Sequence, residues 1–136
     1  MSTVSEFMST NPVTIPSDAP IEQAARLMRD HDIGFLPVLD GESFRGVVTD
    51  RDIVVKALAE GRYDERVGGI VSASVVTVTP DDDVQRATEL MAEADVRRLP
   101  VCVDGQLVGI VSVGDLATRQ SPALAGHVME QTGPDA

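Results

Sequence analysis

The sequence predicts an α+β fold: two βαββα repeats packed about a pseudo-twofold axis. Three observations carry this. The first is an internal duplication, because "GVVTDRD" at Gly46 to Asp52 returns as "GIVSVGD" at Gly109 to Asp115, 63 residues later. Sliding Met8 to Ile53 onto Val71 to Leu116 at that offset, without a gap, gives 14 identities in 46 pairs, among them Val13/Val76, Thr14/Thr77, Leu27/Leu90, Met28/Met91, Pro37/Pro100 and Asp52/Asp115. Two copies are too few for a solenoid and suit two halves that cover each other. The second is the order of periodicities, which runs strand, helix, strand, strand, helix in each copy. The third is that one small sheet with partial helical cover leaves an open apolar face, which a second copy can bury.

In the first repeat, "VTI" (Val13 to Ile15) reads as a short strand, and "SDAP" as a helix start with Ser17 or Asp18 as cap and Pro20 in the first turn. In "IEQAARLMRDH" the residues Ile21, Ala24, Ala25 and Met28 fall at i, i+3, i+4 and i+7, one apolar face of a helix. "GFLPVL", the turn "DGES" and "FRGVVT" make a hairpin, and "DIVVKALAEG" closes the repeat as a helix ending at Gly61. The second repeat has the strand "SVVTV", a helix from "PDDD" through "VQRATELMAEA" with Val84, Ala87, Thr88 and Met91 inward, the hairpin "RLPVCV", "DGQ", "LVGIVS", and the helix "DLATRQ". "GRYDERVGG" links the two. The expected division is 1–62, 63–120 and a tail at 121–136.

At 136 residues and 43% hydrophobic, the chain can bury a core without covalent staples. The single cysteine, Cys102, lies in an apolar run and reads as a strand residue. The formal charge of −11, with no tryptophan and 3% aromatics, speaks against nucleic acid and anionic membranes as partners. No segment reaches the ~20 apolar residues of a membrane span and the start has no signal pattern, so the expected location is the cytoplasm. His31 and His127 have no partner at metal-ligand spacing, and no Cys-x-x-Cys occurs. Asp81 to Asp83 sit at a helix start, where negative charge suits the dipole, and lack the pattern of a calcium loop. No nucleophile with a base and no phosphate-binding glycine loop stands out, so the chain is read as non-catalytic, with no cofactor required.

With both Gly-hydrophobic-hydrophobic-[Ser/Thr]-x-x-Asp phrases, the paired "VT" strands, the helices ending in Leu-Met and the "LPV" strands in view, the chain resembles a tandem pair of cystathionine β-synthase (CBS) domains. The likeness covers roughly Val4 to Thr118 and looks like the small stand-alone bacterial members. It implies a regulatory module that binds an adenosine-containing ligand (AMP, ADP, ATP, NAD or S-adenosylmethionine, with AMP foremost) in clefts between the two domains. It also implies a homodimer stacked through the "DIVVKALAEG" and "DLATRQ" helices, and a regulated protein partner that the sequence does not name.

The residues suit that chemistry. Asp52 or Asp115, at a helix start, can accept two hydrogen bonds from a ribose diol, and Thr49 or Ser112 adds a hydroxyl. Adenine would lie near Ile15 and Ile33 in one half and Val78 and Val96 in the other, with Thr14 and Thr77 beside them. Arg97 and Arg98 form a candidate phosphate clamp in an acidic chain, and Arg51 is similarly placed. Plainer readings stand beside these: the aspartates as helix caps, the hydroxyls as ordinary strand ends, the arginines as a solvated pair. The second site has Val113 and Gly114 where the first has Asp50 and Arg51, which removes one phosphate contact, and it is the site expected to stay empty if only one fills. The competing function is a ligand-free dimeric interaction protein.

Overall fold

The computed structural model describes residues 2–73 and 75–117; residues 118–120 of the last expected helix and the tail assigned to 121–136 lie outside the described residues. The chain is α+β, and its repeats fold from the elements that periodicity predicts, with instructive shifts.

In the first repeat, β1 (Ile15–Pro16) runs parallel to β2 (Phe35–Asp40), which pairs antiparallel with β3 (Ser43–Thr49). β1 is short because the chain turns after Pro16: Ser17 N donates to Leu39 O at 2.9 Å and Ala19 N to Pro16 O at 3.1 Å. Helix α1 spans Ile21–His31 and buries Ile21, Ala24 and Met28. Ala25, expected on that face, is exposed, because the buried stripe is centred towards Leu27, which packs against the core instead. The helix cap is also not where the sequence suggested. The N-cap position is Pro20, with no side-chain cap bond, and the Ser17 hydroxyl is engaged by the Asp40 carboxylate. The helix ends on Asp32 at φ 53, a left-handed position that aspartate tolerates.

From β3 the chain turns directly into α2 (Asp50–Asp52), which widens into a π-helical segment, Ile53–Leu58. Ala59 N donates to Val54 O at 2.9 Å, one residue further back than in an α-helix. The helix expected from Asp52 to Gly61 therefore starts earlier and departs from α geometry. Ile53 and Ala57 face the core, whereas Val54, Val55 and Leu58 are exposed.

The second repeat follows the same plan. Helix α3 (Val84–Ala94) starts at the N-cap Asp83, whose carboxylate accepts Gln85 N at 2.9 Å, and buries Val84, Ala87, Thr88 and Met91. The Thr88 hydroxyl donates to Val84 O at 2.9 Å, which satisfies it inside the core. β4 (Arg98–Val103) pairs with β5 (Gln106–Ser112), and α4 (Val113–Ala117) follows. Of the expected strand "SVVTV", the described residues 75–78 keep a single parallel bridge, between Val78 and Val101, beside the two-stranded sheet of β4 and β5.

The chain groups into two compact units: Val13–Val75, and Met1–Pro12 together with Val76–Ala136. The unit Val13–Val75 is one continuous span, whereas the other joins the N-terminal arm to the later repeat. Each unit is closed by the arm that precedes the other repeat. In the second, Val4 joins Val78, Met91 and Leu99 in the core, and Ser9 bridges Ile110. In the first, Val67 and Ile70 join Ile15 and Leu36, and Ser72 bridges Val47. Val4–Glu6 and Val67–Gly69 both form a short 3-10 turn, so the duplication extends into the arms. Glycine admits them: a Cβ on Gly46 would stand 2.3 Å from Ser72 O, and one on Gly109 2.7 Å from Ser9 O.

Candidate functional site

The repeated phrase builds the same corner twice, where β3 or β5 ends and a helix begins. In the first corner the Thr49 hydroxyl accepts Asp52 N at 3.0 Å while Asp52 Oδ2 accepts Thr49 N at 2.9 Å. In the second the Ser112 hydroxyl accepts Asp115 N at 3.1 Å and Asp115 Oδ2 accepts Ser112 N at 3.0 Å. Each is a reciprocal capping box, with the hydroxyl residue at the N-cap and the aspartate three residues on. The hydroxyl three residues before each aspartate is therefore what the cap itself needs. Asp52 stands at the third helical position of α2, with Thr49 as its N-cap residue.

The first carboxylate has further partners. Asp52 is 8% exposed. Its Oδ1 lies 3.1 Å from Lys56 Nζ, and its Oδ2 accepts Ser72 Oγ at 3.4 Å. Lys56 Nζ also donates to Ser72 Oγ at 3.1 Å and Ile70 O at 3.4 Å, which fastens the arm to the helix. A carboxylate oxygen has two lone pairs, so Oδ1 keeps acceptor capacity for a diol.

Beside this carboxylate, Asp50 N donates to Gly34 O at 3.0 Å and Asp50 Oδ1 accepts Arg51 N at 2.8 Å. In the second corner Val113 N donates to Arg97 O at 2.9 Å, and Arg98 is the register partner of Ser112. The first unit thus brings Ile33, Thr49, Arg51 and Asp52 to one end of its sheet, and the second brings Val96, Arg97, Arg98, Ser112 and Asp115 to the corresponding end. Arg51 is exposed, and Ile33 and Val96 are half-buried. Ile15 and Val78 are 0% and 2% exposed, and their side chains pack in the two cores. Thr14 is half-buried and Thr77 exposed, each immediately before its core residue.

Lys56 and Ser72 were missed by the sequence reading. Lys56 was legible, since it stands four residues after Asp52, one helical turn away. Ser72 was not, because only the folded arm carries it to a carboxylate 20 residues earlier. Cys102 lies on β4, half-buried, and burial pushes its thiol above the usual range. Among the described residues no group of three His, Cys, Asp or Glu could hold a metal ion, and no helix is long and apolar enough to cross a membrane.

A parallel strand beside an antiparallel hairpin, leading into a capped helix and repeated once, defines a class of paired modules. The family model for the CBS domain matches residues 4–58 and again 67–121, and the chain belongs to this family as a tandem pair. It is 38% identical over 121 residues to the CBS domain-containing protein YhcV of Bacillus subtilis, covering 88% of this chain and 86% of that protein. The solved CBS domain pair of MJ0100, in complex with 5'-methylthioadenosine and S-adenosyl-L-methionine, is similar at a TM-score of 0.75 with 29% identity, over 87% of this chain and 94% of that one. CBSX2, solved in complex with AMP, is similar at a TM-score of 0.77 with 28% identity, over 87% and 95%. CBS pairs of this kind are regulatory ligand-binding modules.

Proposed function

We propose that this chain is a non-catalytic regulatory module that binds an adenosine-containing nucleotide at its strand-end corners. It signals the bound state by changing the packing of its repeats or of a homodimer, and so acts on a protein partner. The observation that carries the reading is the recurrence of one corner, at which a fixed carboxylate, a half-buried apolar residue and at least one arginine converge. A ribose diol suits the carboxylate, an adenine face suits Ile33 or Val96, and guanidinium groups suit phosphate. AMP is the first candidate, and related CBS pairs solved with AMP or S-adenosylmethionine support the class. The Thr49 and Ser112 hydroxyls each serve a backbone amide rather than a general base, which favours binding over catalysis. The exposed side chains of Val54, Val55 and Leu58 on one helical segment favour a second copy of the chain as their cover. The cytoplasm is the compartment this reading requires.

The second reading, a ligand-free dimeric interaction protein, is favoured by one observation: Asp52 is already held by Thr49, Lys56 and Ser72. A thermal-shift screen with AMP, ATP, NAD and S-adenosylmethionine separates them. A specific ligand at 100 times its dissociation constant adds about 2.7 kcal/mol of stability. No shift with any of the four at millimolar concentration would leave the interaction protein standing.

A further inference from the structure

We infer that the two corners select ligands of different charge: the second repeat takes the phosphorylated ligand, and the first favours an adenosine derivative without a phosphate. This rests on the adenosine reading above and adds which residues set the preference.

Gly34 and Arg97 are structural equivalents, since each carbonyl accepts the first helical amide of its corner, from Asp50 at 3.0 Å and from Val113 at 2.9 Å. The two corners differ at both positions, Gly34 with Asp50 in the first and Arg97 with Val113 in the second. In the first corner the Asp50 carboxylate stands over Gly34, so that a Cβ there would lie 3.0 Å from Asp50 Oδ2. A longer side chain at 34 would meet that carboxylate at once. In the second corner the partner position is Val113, whose side chain is 2% exposed and belongs to the core. Val113 brings no carboxylate of its own to residue 97, and the arginine there has a buried Nε.

The charges follow. Residues 34, 35, 50, 51 and 52 sum to −1, from Asp50, Arg51 and Asp52, while 97, 98, 113, 114 and 115 sum to +1, from Arg97, Arg98 and Asp115. A phosphate monoester carries about −1.5 to −2 at neutral pH. At the first corner it would approach the exposed carboxylate of Asp50, with Oδ1 already on Arg51 N at 2.8 Å. At the second it would approach two guanidinium groups, one of them on the register partner of the corner hydroxyl residue Ser112. The loss of Asp50 and Arg51 from the second site, which made it the one expected to stay empty, removes an anion from the ligand's path as well as a cation.

The test is calorimetric titration of the full chain with AMP and with adenosine, for the unaltered protein and for Arg97→Met with Arg98→Met, which keep the aliphatic stems. We expect the unaltered chain to bind AMP more tightly than adenosine. The ratio of the two affinities should fall about tenfold in the double variant, the scale of a lost charge-assisted hydrogen bond. Asp50→Asn, at an exposed position, should instead raise the AMP affinity of the weaker site several-fold and keeps the inference testable if the arginine variant folds poorly. An unchanged AMP-to-adenosine ratio in the arginine variant, or an Asp50→Asn chain no better at AMP, overturns the charge assignment while leaving adenosine binding intact. Binding of neither compound by the unaltered chain would overturn the adenosine reading itself.

Discussion

Replacing Asp52 by alanine is the perturbation that divides architecture from recognition. The structure sets its cost in the absence of any ligand. Thr49 N loses the acceptor that closes the capping box at 2.9 Å, worth about 1 kcal/mol. Lys56 loses its carboxylate at 3.1 Å but keeps Ser72 Oγ and Ile70 O, and for an ammonium nearly half exposed that pair contributes below about 1 kcal/mol. Together the ligand-free variant should lose roughly 1.5 to 2 kcal/mol, read as a lower urea midpoint at unchanged slope. If Asp52 also holds a ribose diol, affinity at the first corner should fall about ten- to a hundredfold, the effect of losing a charged hydrogen-bond acceptor. Asp115→Ala should do the same at the second corner. Calorimetric titration with AMP and adenosine, beside urea unfolding of the ligand-free proteins, reads both quantities. Unchanged affinity in both variants, with stability lowered by the stated amount, would refute the ribose assignment and leave the two carboxylates as helix-capping devices.

The arms offer a second prediction: Gly46→Ala places a Cβ 2.3 Å from Ser72 O at a residue with φ +150. It should break the bridge formed by Val47 N to Ser72 O at 3.1 Å and Ser72 N to Val47 O at 2.8 Å. At about 1 kcal/mol per bond and ~1–3 kcal/mol of backbone strain, the loss should reach roughly 3 to 5 kcal/mol in chemical unfolding; a loss below 1 kcal/mol would show that the arm is not held as described. A third concerns assembly: Val54→Glu with Leu58→Glu, at positions 56% and 45% exposed, should leave the monomer folded but turn a sedimenting dimer into a monomer at tens of micromolar. A chain that sediments as a monomer without these changes would remove the homodimer.

How much of this was legible in the sequence divides along chain separation. The helices α1 and α3 were legible because a 3.6-residue period needs only neighbours a few positions apart, and Ile21, Ala24 and Met28 carry it. The start of α3 was legible at Asp83 because an N-cap bond is local; the start of α1 was not, because Ser17 is drawn away by Asp40 across the sheet. Both corners were visible as Thr49-x-x-Asp52 and Ser112-x-x-Asp115, although their first duty is the cap. The family was determined as well, since two complete copies at one offset leave little room for another arrangement.

Tertiary structure alone decided which arm closes which repeat, because Val4 and Val67 look like ordinary apolar residues until a core accepts them. It also decided that Ser72 and Lys56 share the Asp52 carboxylate, and that the side chains at equivalent positions 50 and 113 part company. Asp50 stays in water over a glycine, and Val113 enters the core. The physical reason is common to these cases. Periodicity and capping act between covalent near-neighbours, whereas burial and long-range hydrogen bonds depend on which distant surface is left to be covered, and that surface exists only after the chain has folded.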